Sequence, residues 1–269
     1  MEDSVTLRLT IWKERKMRQV KVRNIEIGAG IPKICVPIAG VTDEEIMAAA
    51  EAVRDSAADL AEWRADWYEN VFDFEKTEET LRVLRNILGE MPVLFTFRTA
   101  EEGGEKAIDK KVYVELNRRA VQTGMLDLVD IEASAGDKVV KDIIETAREY
   151  GVKAVVSNHD FQKTPSREEI LFRLRNMQEL GADIAKIAVM PRSRKDVLTL
   201  LAATEEITSD PAQCPVITMS MGRDGVISRI CGEAFGSAVT FGTVGRASAP
   251  GQMKAEELAA LLELLHKNM

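Results

Sequence analysis

The chain has 269 residues, enough for one large domain or two small ones, and 36 basic against 44 acidic side chains leave it with a net charge of -8. That acidic balance, spread along the whole length, excludes sequence-independent nucleic-acid binding, which needs a basic surface to neutralise phosphates. Cys35, Cys214 and Cys231 are too few and too scattered for a disulfide framework or paired zinc ligands, and with only two histidines, His159 and His266, any metal would rest mainly on carboxylates.

The first residues, Met1-Glu2-Asp3-Ser4, are acidic and polar, without the charged-then-apolar order of a signal peptide, and no apolar run reaches membrane-spanning length. A cytoplasmic protein with no nucleic-acid or membrane partner is expected. Val5, Leu7, Leu9 and Ile11 then alternate with Thr6, Arg8 and Thr10, and a second alternating run extends from Val20 to Ile27, which together read as a β-hairpin extension over residues 5–27. Between the two runs, Lys13-Glu14-Arg15-Lys16-Met17-Arg18 is a short basic stretch best read as a solvated turn.

Short apolar runs bounded by Gly, Pro and polar clusters follow at regular spacing, beginning near Ile34, Ala61, Val93, Leu128, Ala154, Ile184, Val216 and Ala238. Amphipathic stretches separate them, opened by start signals such as Thr42-Asp43-Glu44-Glu45, Ser166-Arg167-Glu168-Glu169 and Ser193-Arg194-Lys195-Asp196, and closed by glycines at 89, 124, 151 and 181. This is the spacing of a (β/α)8 TIM barrel, with the hairpin closing the barrel bottom. An open doubly wound sheet shares the alternation, but the turn Ile38-Ala39-Gly40-Val41 lacks its glycine fingerprint. No linker or internal boundary interrupts the chain, so a single domain over residues 1–269 is expected.

Barrel enzymes build their sites from the C-terminal ends of the strands. Lys186 is the only charge in the strand Ile184-Ala185-Lys186-Ile187-Ala188-Val189, where it either pairs with a carboxylate or serves as an amine nucleophile. The preceding strand ends Ser157-Asn158-His159-Asp160-Phe161; His159 alone would more often be a hydrogen-bonded structural histidine. Glu62, Arg64 and Asp66 share one face of their strand, as an internal salt-bridge network or as ligand-binding groups. Arg98 precedes Glu101-Glu102-Gly103-Gly104, and could pair with Asp130 or Glu132. The convergence of His159, Lys186, Arg64, Arg98 and Glu102 on one rim favours chemistry over a purely structural network.

In the last third, Met219 and Met221 alternate inward, as packing or as the wall of a cavity for a ring-shaped ligand. Gly222-Arg223-Asp224-Gly225-Val226-Ile227-Ser228-Arg229 reads as a lid that could bring Arg229 onto a carboxylate. Ala247-Ser248-Ala249-Pro250-Gly251-Gln252 places a hydroxyl and an amide at the same mouth. His266, near the end of the last helix, suits the negative end of the helix dipole.

Taken in order, Glu62-Trp63-Arg64, Phe97-Arg98-Thr99 with Glu102-Gly103-Gly104, Ser157 to Phe161, Ala185-Lys186-Ile187-Ala188, Met219-Ser220-Met221-Gly222 and Ala247 to Gln252 resemble type I 3-dehydroquinate dehydratase over essentially the whole chain. The resemblance implies a cofactor-free hydro-lyase of the shikimate pathway, a homodimer, that turns 3-dehydroquinate into 3-dehydroshikimate and water. It implies that Lys186 forms an imine, that His159 moves the protons and that Glu102 positions and tunes the histidine. It further implies Arg229 as the clamp on the substrate carboxylate; Glu62, Arg64, Arg98, Ser248, Ala249 and Gln252 as substrate-binding positions; and Met219, Met221 and Phe241 as the cavity lining. One position departs from the pattern: the first strand ends in Pro37, where some members carry a hydroxyl residue. Two rivals stand beside this reading. A class I aldolase would use the same lysine with a phosphate site near Gly242 and Gly245, and an inert acid-binding barrel would keep Lys186 permanently ion-paired.

Overall fold

The computed structural model describes residues 18–245 and 249–269. Residues 5–11, most of the basic run, and Ser248 lie outside the described residues.

All eight apolar runs are strands, each starting within one residue of its expected position: β3 (Lys33–Ile38), β4 (Leu60–Arg64), β5 (Val93–Thr96), β6 (Leu128–Glu132), β7 (Lys153–Asp160), β8 (Ile184–Val189), β9 (Val216–Ser220) and β10 (Val239–Thr243). Each pairs in parallel with the next from β3 to β9, and β10 pairs in parallel with β3. Between β9 and β10 no ladder forms; a single bridge joins Val216 to Ser237, the Ala238 N–H donates to Val216 O at 2.8 Å, and Ser237 Oγ accepts from the Thr218 N–H at 3.0 Å. A serine hydroxyl therefore does at the closing seam what backbone does elsewhere in the barrel.

The long connecting helices are α1 (Asp43–Arg54), α2 (Phe74–Leu88), α3 (Lys110–Gln122), α4 (Asp137–Glu149), α5 (Arg167–Glu179) and α6 (Arg194–Thr208). After β9 the helical layer shrinks to two single turns, α7 (Ile227–Ile230) and α8 (Gly232–Phe235), and a two-residue strand, β11 (Met253–Lys254), precedes the last helix, α9 (Ala255–His266). The start signals act locally: the Thr42 and Ser166 hydroxyls accept the Glu45 and Glu169 N–H groups, and Asp196 Oδ2 accepts the Ser193 N–H at 3.1 Å.

Side-chain alternation divides two cores. Val36, Trp63, Phe95, Val129, Val156 and Ile187 face outward against the helices, whereas Cys35, Leu60, Leu94, Leu128, Val155, Ile184, Ile217 and Val239 face the barrel interior. The next inward positions turn polar on most strands: Glu62 and Arg64, Thr96 and Arg98, Asp130 and Glu132, Ser157 and His159, then Lys186. Period two thus carries β4 to β8 from an apolar bottom to a polar or charged top, while β9 and β10 stay apolar through Met219, Met221 and Phe241.

Of the expected N-terminal hairpin, only the second run lies within the described residues. Within the second run, β1 (Val20–Val22) pairs antiparallel with β2 (Ile25–Ile27), and the two-residue turn holds Arg23 at φ 48°. Val20, Val22 and Ile27 pack onto the inward-facing apolar residues and close the barrel bottom; burying each is worth about 1.5–3 kcal/mol. Arg23 fastens the turn to the barrel, with Nε 2.5 Å from Asp127 Oδ1 and Nη1 3.0 Å from Glu90 Oε2.

Candidate active site

At the top of the barrel the inward side chains surround a pocket with about 490 Å³ of empty space, part of it open to solvent, lined by Glu62, Arg64, Arg98, Glu102, Gly103, His159, Phe161, Lys186, Ala188, Met219, Met221, Phe241, Ala249 and Gln252. Such a pocket suits a small polar molecule.

Lys186 stands at the floor, 3% exposed. Its Nζ lies 3.1 Å from Asp130 Oδ2, 3.5 Å from Glu62 Oε1 and 4.7 Å above the centre of the Phe241 ring. Of the two acids on β6, Asp130 takes the lysine and Glu132 does not. Burial alone would raise the Asp130 carboxyl, but the Arg98 guanidinium and the Lys186 ammonium outweigh it and hold the group well below the ordinary carboxylate range. Arg98 ties the same acids together: Nη2 is 2.8 Å from Asp130 Oδ1, and Nη1 is 2.8 Å from Glu132 Oε1 and 3.1 Å from Ser157 Oγ. Much of its donor capacity is spent on the protein, leaving charge and the remaining N–H groups for a ligand.

His159 lines the same cavity. Glu102 Oε2 accepts from its backbone N–H at 2.9 Å and contacts its ring Nδ1 at 2.9 Å, while Glu102 Oε1 accepts from the Ser134 hydroxyl at 2.6 Å and from Asn158 Nδ2 at 3.2 Å. Burial pushes the imidazole well below its usual pKa, and Arg98 and Lys186 push the same way. The ring is therefore neutral, its proton on Nδ1 toward the carboxylate, and the free lone pair is on Nε2. Burial raises the Glu102 carboxyl, against which Arg98 and its hydrogen-bond donors act. Glu102, not Glu101, reaches the histidine, because Glu102 is 4% exposed and Glu101 is on the surface.

The loop that delivers Glu102 requires both following glycines. Gly103 sits at φ 83° with the Phe161 ring 2.4 Å from where a Cβ would be, and a Cβ on Gly104 would lie 1.9 Å from Arg98 O. On the adjacent strand, β4, Arg64 meets Asp66 through Nε and Nη2, both at 2.8 Å. Burial pulls the Arg64 guanidinium down, but Asp66 more than offsets it, so the group is held above its ordinary value.

Eleven of the sequence-predicted site residues meet in this cavity: Lys186, His159, Glu102, Glu62, Arg64, Arg98, Met219, Met221, Phe241, Ala249 and Gln252. Arg229 does not line it. It is 1% exposed behind Met219 and Phe241, with Nη2 3.0 Å from Pro250 O and Nη1 3.5 Å from Phe241 O, and its Nε has no hydrogen-bond partner among the described residues. Burial lowers its pKa to about 10. The loop before it is packed in place: Ser228 Oγ accepts the Ser220 N–H at 2.9 Å and donates to Gly225 O at 2.7 Å, which holds Arg229 behind the cavity wall. Gly103, Phe161 and Ala188 line the cavity without having been singled out; for Phe161 the signal was an aromatic two residues past the histidine, just beyond the end of its strand. Pro37, in register with Glu62, is buried and does not line the cavity. His266 ends α9 as expected, and its Nδ1 meets Glu233 Oε1 at 2.6 Å. Among the described residues no three His, Cys, Asp or Glu side chains are grouped to hold a metal ion.

A (β/α)8 barrel that sets a buried lysine amine beside a neutral, carboxylate-oriented histidine defines the class: an enzyme equipped for amine-mediated proton abstraction and elimination. The type I 3-dehydroquinase profile matches residues 34–269. The chain is 50% identical over 252 residues to the 3-dehydroquinate dehydratase of Clostridioides difficile, covering 94% of this chain and 99% of that one, and 52% identical over 251 residues to that of Listeria welshimeri, covering 93% and 99%. Among solved structures, type I 3-dehydroquinate dehydratase from Clostridium difficile, with covalent modified comenic acid, superposes with a TM-score of 0.91 at 50% identity over 94% of this chain and 100% of that one. The enzyme from Geobacillus kaustophilus also gives 0.91, at 41% identity over 94% and 98%. The chain belongs to the type I 3-dehydroquinase family, the hydro-lyases that dehydrate 3-dehydroquinate in the shikimate pathway. The aldolase and inert-barrel alternatives are thereby set aside.

Proposed function

We propose that Lys186 forms a Schiff base with the C3 ketone of 3-dehydroquinate and that His159 carries the protons of the elimination. The observation that supports this most directly is that Lys186 and a histidine with its Nδ1 tied to Glu102 share one cavity. The ketone makes the C2 proton only weakly acidic. The Lys186 amine adds to C3 and expels water, and the resulting iminium withdraws electrons more strongly than the ketone did. For the amine to attack, the ammonium first gives up a proton to the cavity, past Glu62 at 3.5 Å, while Asp130 at 3.1 Å stays ionised and holds the lysine in place. His159 Nε2 removes the C2 proton, the electron pair moves into the enamine, and collapse of the enamine expels the C1 hydroxyl, which takes the proton back from the imidazolium and leaves as water. Hydrolysis of the iminium returns the lysine and releases the enone. Glu102 stabilises the transient imidazolium and keeps the ring in the competent tautomer.

In this reading Arg229 meets the substrate carboxylate, which would supply the anion its buried charge lacks; Glu62, Arg64, Arg98, Ser248, Ala249 and Gln252 hold the ring oxygens, and Met219, Met221 and Phe241 form the apolar wall. No step calls on a cofactor. We further propose a cytoplasmic homodimer, consistent with Phe172 on α5 and Leu198 on α6 being 65% and 66% exposed on neighbouring helices; sedimentation as a monomer at micromolar concentration would refute it.

Borohydride reduction in the presence of 3-dehydroquinate, followed by peptide mass mapping, tests the core of the proposal. A stable adduct on Lys186 is expected, and none should form with Lys186→Met. Absence of an adduct on active wild-type protein would overturn the mechanism.

A further inference from the structure

We infer that Asp66 is a positioning residue that couples the two halves of the site, fixing Arg64 on one side and the loop carrying Glu102 on the other. The inference rests on the functional reading above and deepens it.

Asp66 is fully buried at 0% exposure in the short helical turn after β4, and its carboxylate accepts four hydrogen bonds. Two come from Arg64 Nε and Nη2, both at 2.8 Å. The other two come from backbone: the Arg98 N–H reaches Oδ1 at 3.2 Å, and the Glu105 N–H reaches Oδ2 at 3.1 Å. Its own carbonyl accepts from Lys106 Nζ at 2.6 Å. A carboxylate with two oxygens offers about four acceptor sites, so Asp66 is saturated by protein donors.

What those donors have in common decides the role. Arg98 and Glu105 flank the loop whose middle is the turn Ala100–Glu102, and that loop is narrow at its neck: the Ala100 N–H donates to Lys106 O at 2.9 Å and the Gly104 N–H to Thr99 O at 2.8 Å. Asp66 grips both sides of the neck, so the position of Glu102, and through it of the His159 ring, is referred to β4. The same carboxylate orients Arg64 toward the cavity. Asp66 does not line that cavity, so it acts through these two neighbours. Each Asp66 oxygen serves one Arg64 nitrogen and one backbone N–H of the loop neck, so an amide at this position keeps the shape but sets its N–H groups against both Arg64 and one side of the neck, whichever way it is turned.

The test is Asp66→Asn in the full chain, with steady-state kinetics across pH and borohydride trapping. The expected result is a fall in kcat of at least tenfold, a rise in KM of threefold or more from the freed Arg64, and a displaced acid limb of the pH profile, with the Lys186 adduct still forming. Asp73→Ala, which removes the α2 N-cap and touches neither Asp66 nor the cavity lining, serves as the destabilised control and should leave kcat, KM and the pH profile unchanged. If Asp66→Asn does not fold, Lys106→Met, which releases only the Asp66 carbonyl, should lower kcat at least twofold with a displaced acid limb. A soluble Asp66→Asn with kcat, KM and pH profile all within experimental error of wild type would overturn the inference, as would an unaffected Lys106→Met where Asp66→Asn fails to fold. Wild-type protein that turns over without trapping would instead defeat the Schiff-base reading, which keeps the two failures distinct.

Discussion

Replacing Glu102 tests how much of the histidine's competence comes from its carboxylate. In Glu102→Gln the new amide can present its oxygen to only one of the two donor pairs now served, His159 N and Nδ1 at one oxygen or Ser134 and Asn158 at the other. The backbone N–H of His159 cannot turn, whereas the Ser134 hydroxyl can rotate to accept. The amide oxygen therefore stays with the histidine and the NH₂ faces Ser134 and Asn158. Asn158 cannot flip freely to accommodate it, because its Oδ1 accepts from Arg173 Nη1 at 2.9 Å, so one donor is left opposed. The tautomer survives, and what is lost at the ring is the charge assistance of the hydrogen bond. Exchanging a charged acceptor for a neutral one forfeits about 1–1.5 kcal/mol, which corresponds to roughly tenfold in kcat. In Glu102→Ala the ring loses its orienting partner as well, and a loss of about 10² to 10³ is expected, within the span of general acid-base contributions. Ultraviolet absorbance of the conjugated enone product gives kcat directly, and trapping with borohydride separates imine formation from the later steps. Retention of kcat within threefold in Glu102→Ala, with the protein folded, would refute the coupling.

Three further outcomes are expected. Arg229→Ala should raise KM by about 10- to 150-fold, the equivalent of one charge-assisted hydrogen bond of roughly 1.5–3 kcal/mol, with kcat little changed; an unaltered KM would remove it from substrate binding. Arg98→Met strips the guanidinium from two buried carboxylates, Asp130 and Glu132, and should lower unfolding free energy by about 3–5 kcal/mol in urea titrations, so a loss below about 1 kcal/mol would count against its structural role. For His159 the folded pKa lies well below the 6.5 of an ordinary imidazole, so between the two values the unfolded chain binds a proton that the folded one does not. Its contribution is therefore intact above about pH 6.5 and is lost as pH falls below it, by up to about 1.4 kcal/mol per unit. Urea midpoints of wild type and His159→Gln compared at pH 7.5 and 5.5 should show the variant losing less; equal losses would exclude the histidine as the source.

Much of this enzyme was determined by local order in its sequence. Strand positions follow from apolar runs bounded by breakers, helix starts from Thr42, Ser166 and Ser193, and the inward face of each strand from a period of two, which is why Lys186 and His159 were legible as interior groups at one end of a barrel. Family motifs supplied the activity. Period two assigns a side chain to a face, but it does not choose a partner across strands; that choice depends on strand stagger, on loop paths and on which charges lose water together. Only the tertiary structure decided that Lys186 pairs with Asp130 while Glu132 goes to Arg98, and that Asp66 is filled by donors from three places in the chain. Likewise, the glycine-punctuated segment that reads as a mobile lid is packed around Ser228, with Arg229 already buried behind Met219 and Phe241. Glycine spacing encodes where a chain can turn, whereas the seating of that turn is set by the neighbours it meets, and those neighbours come from elsewhere in the chain.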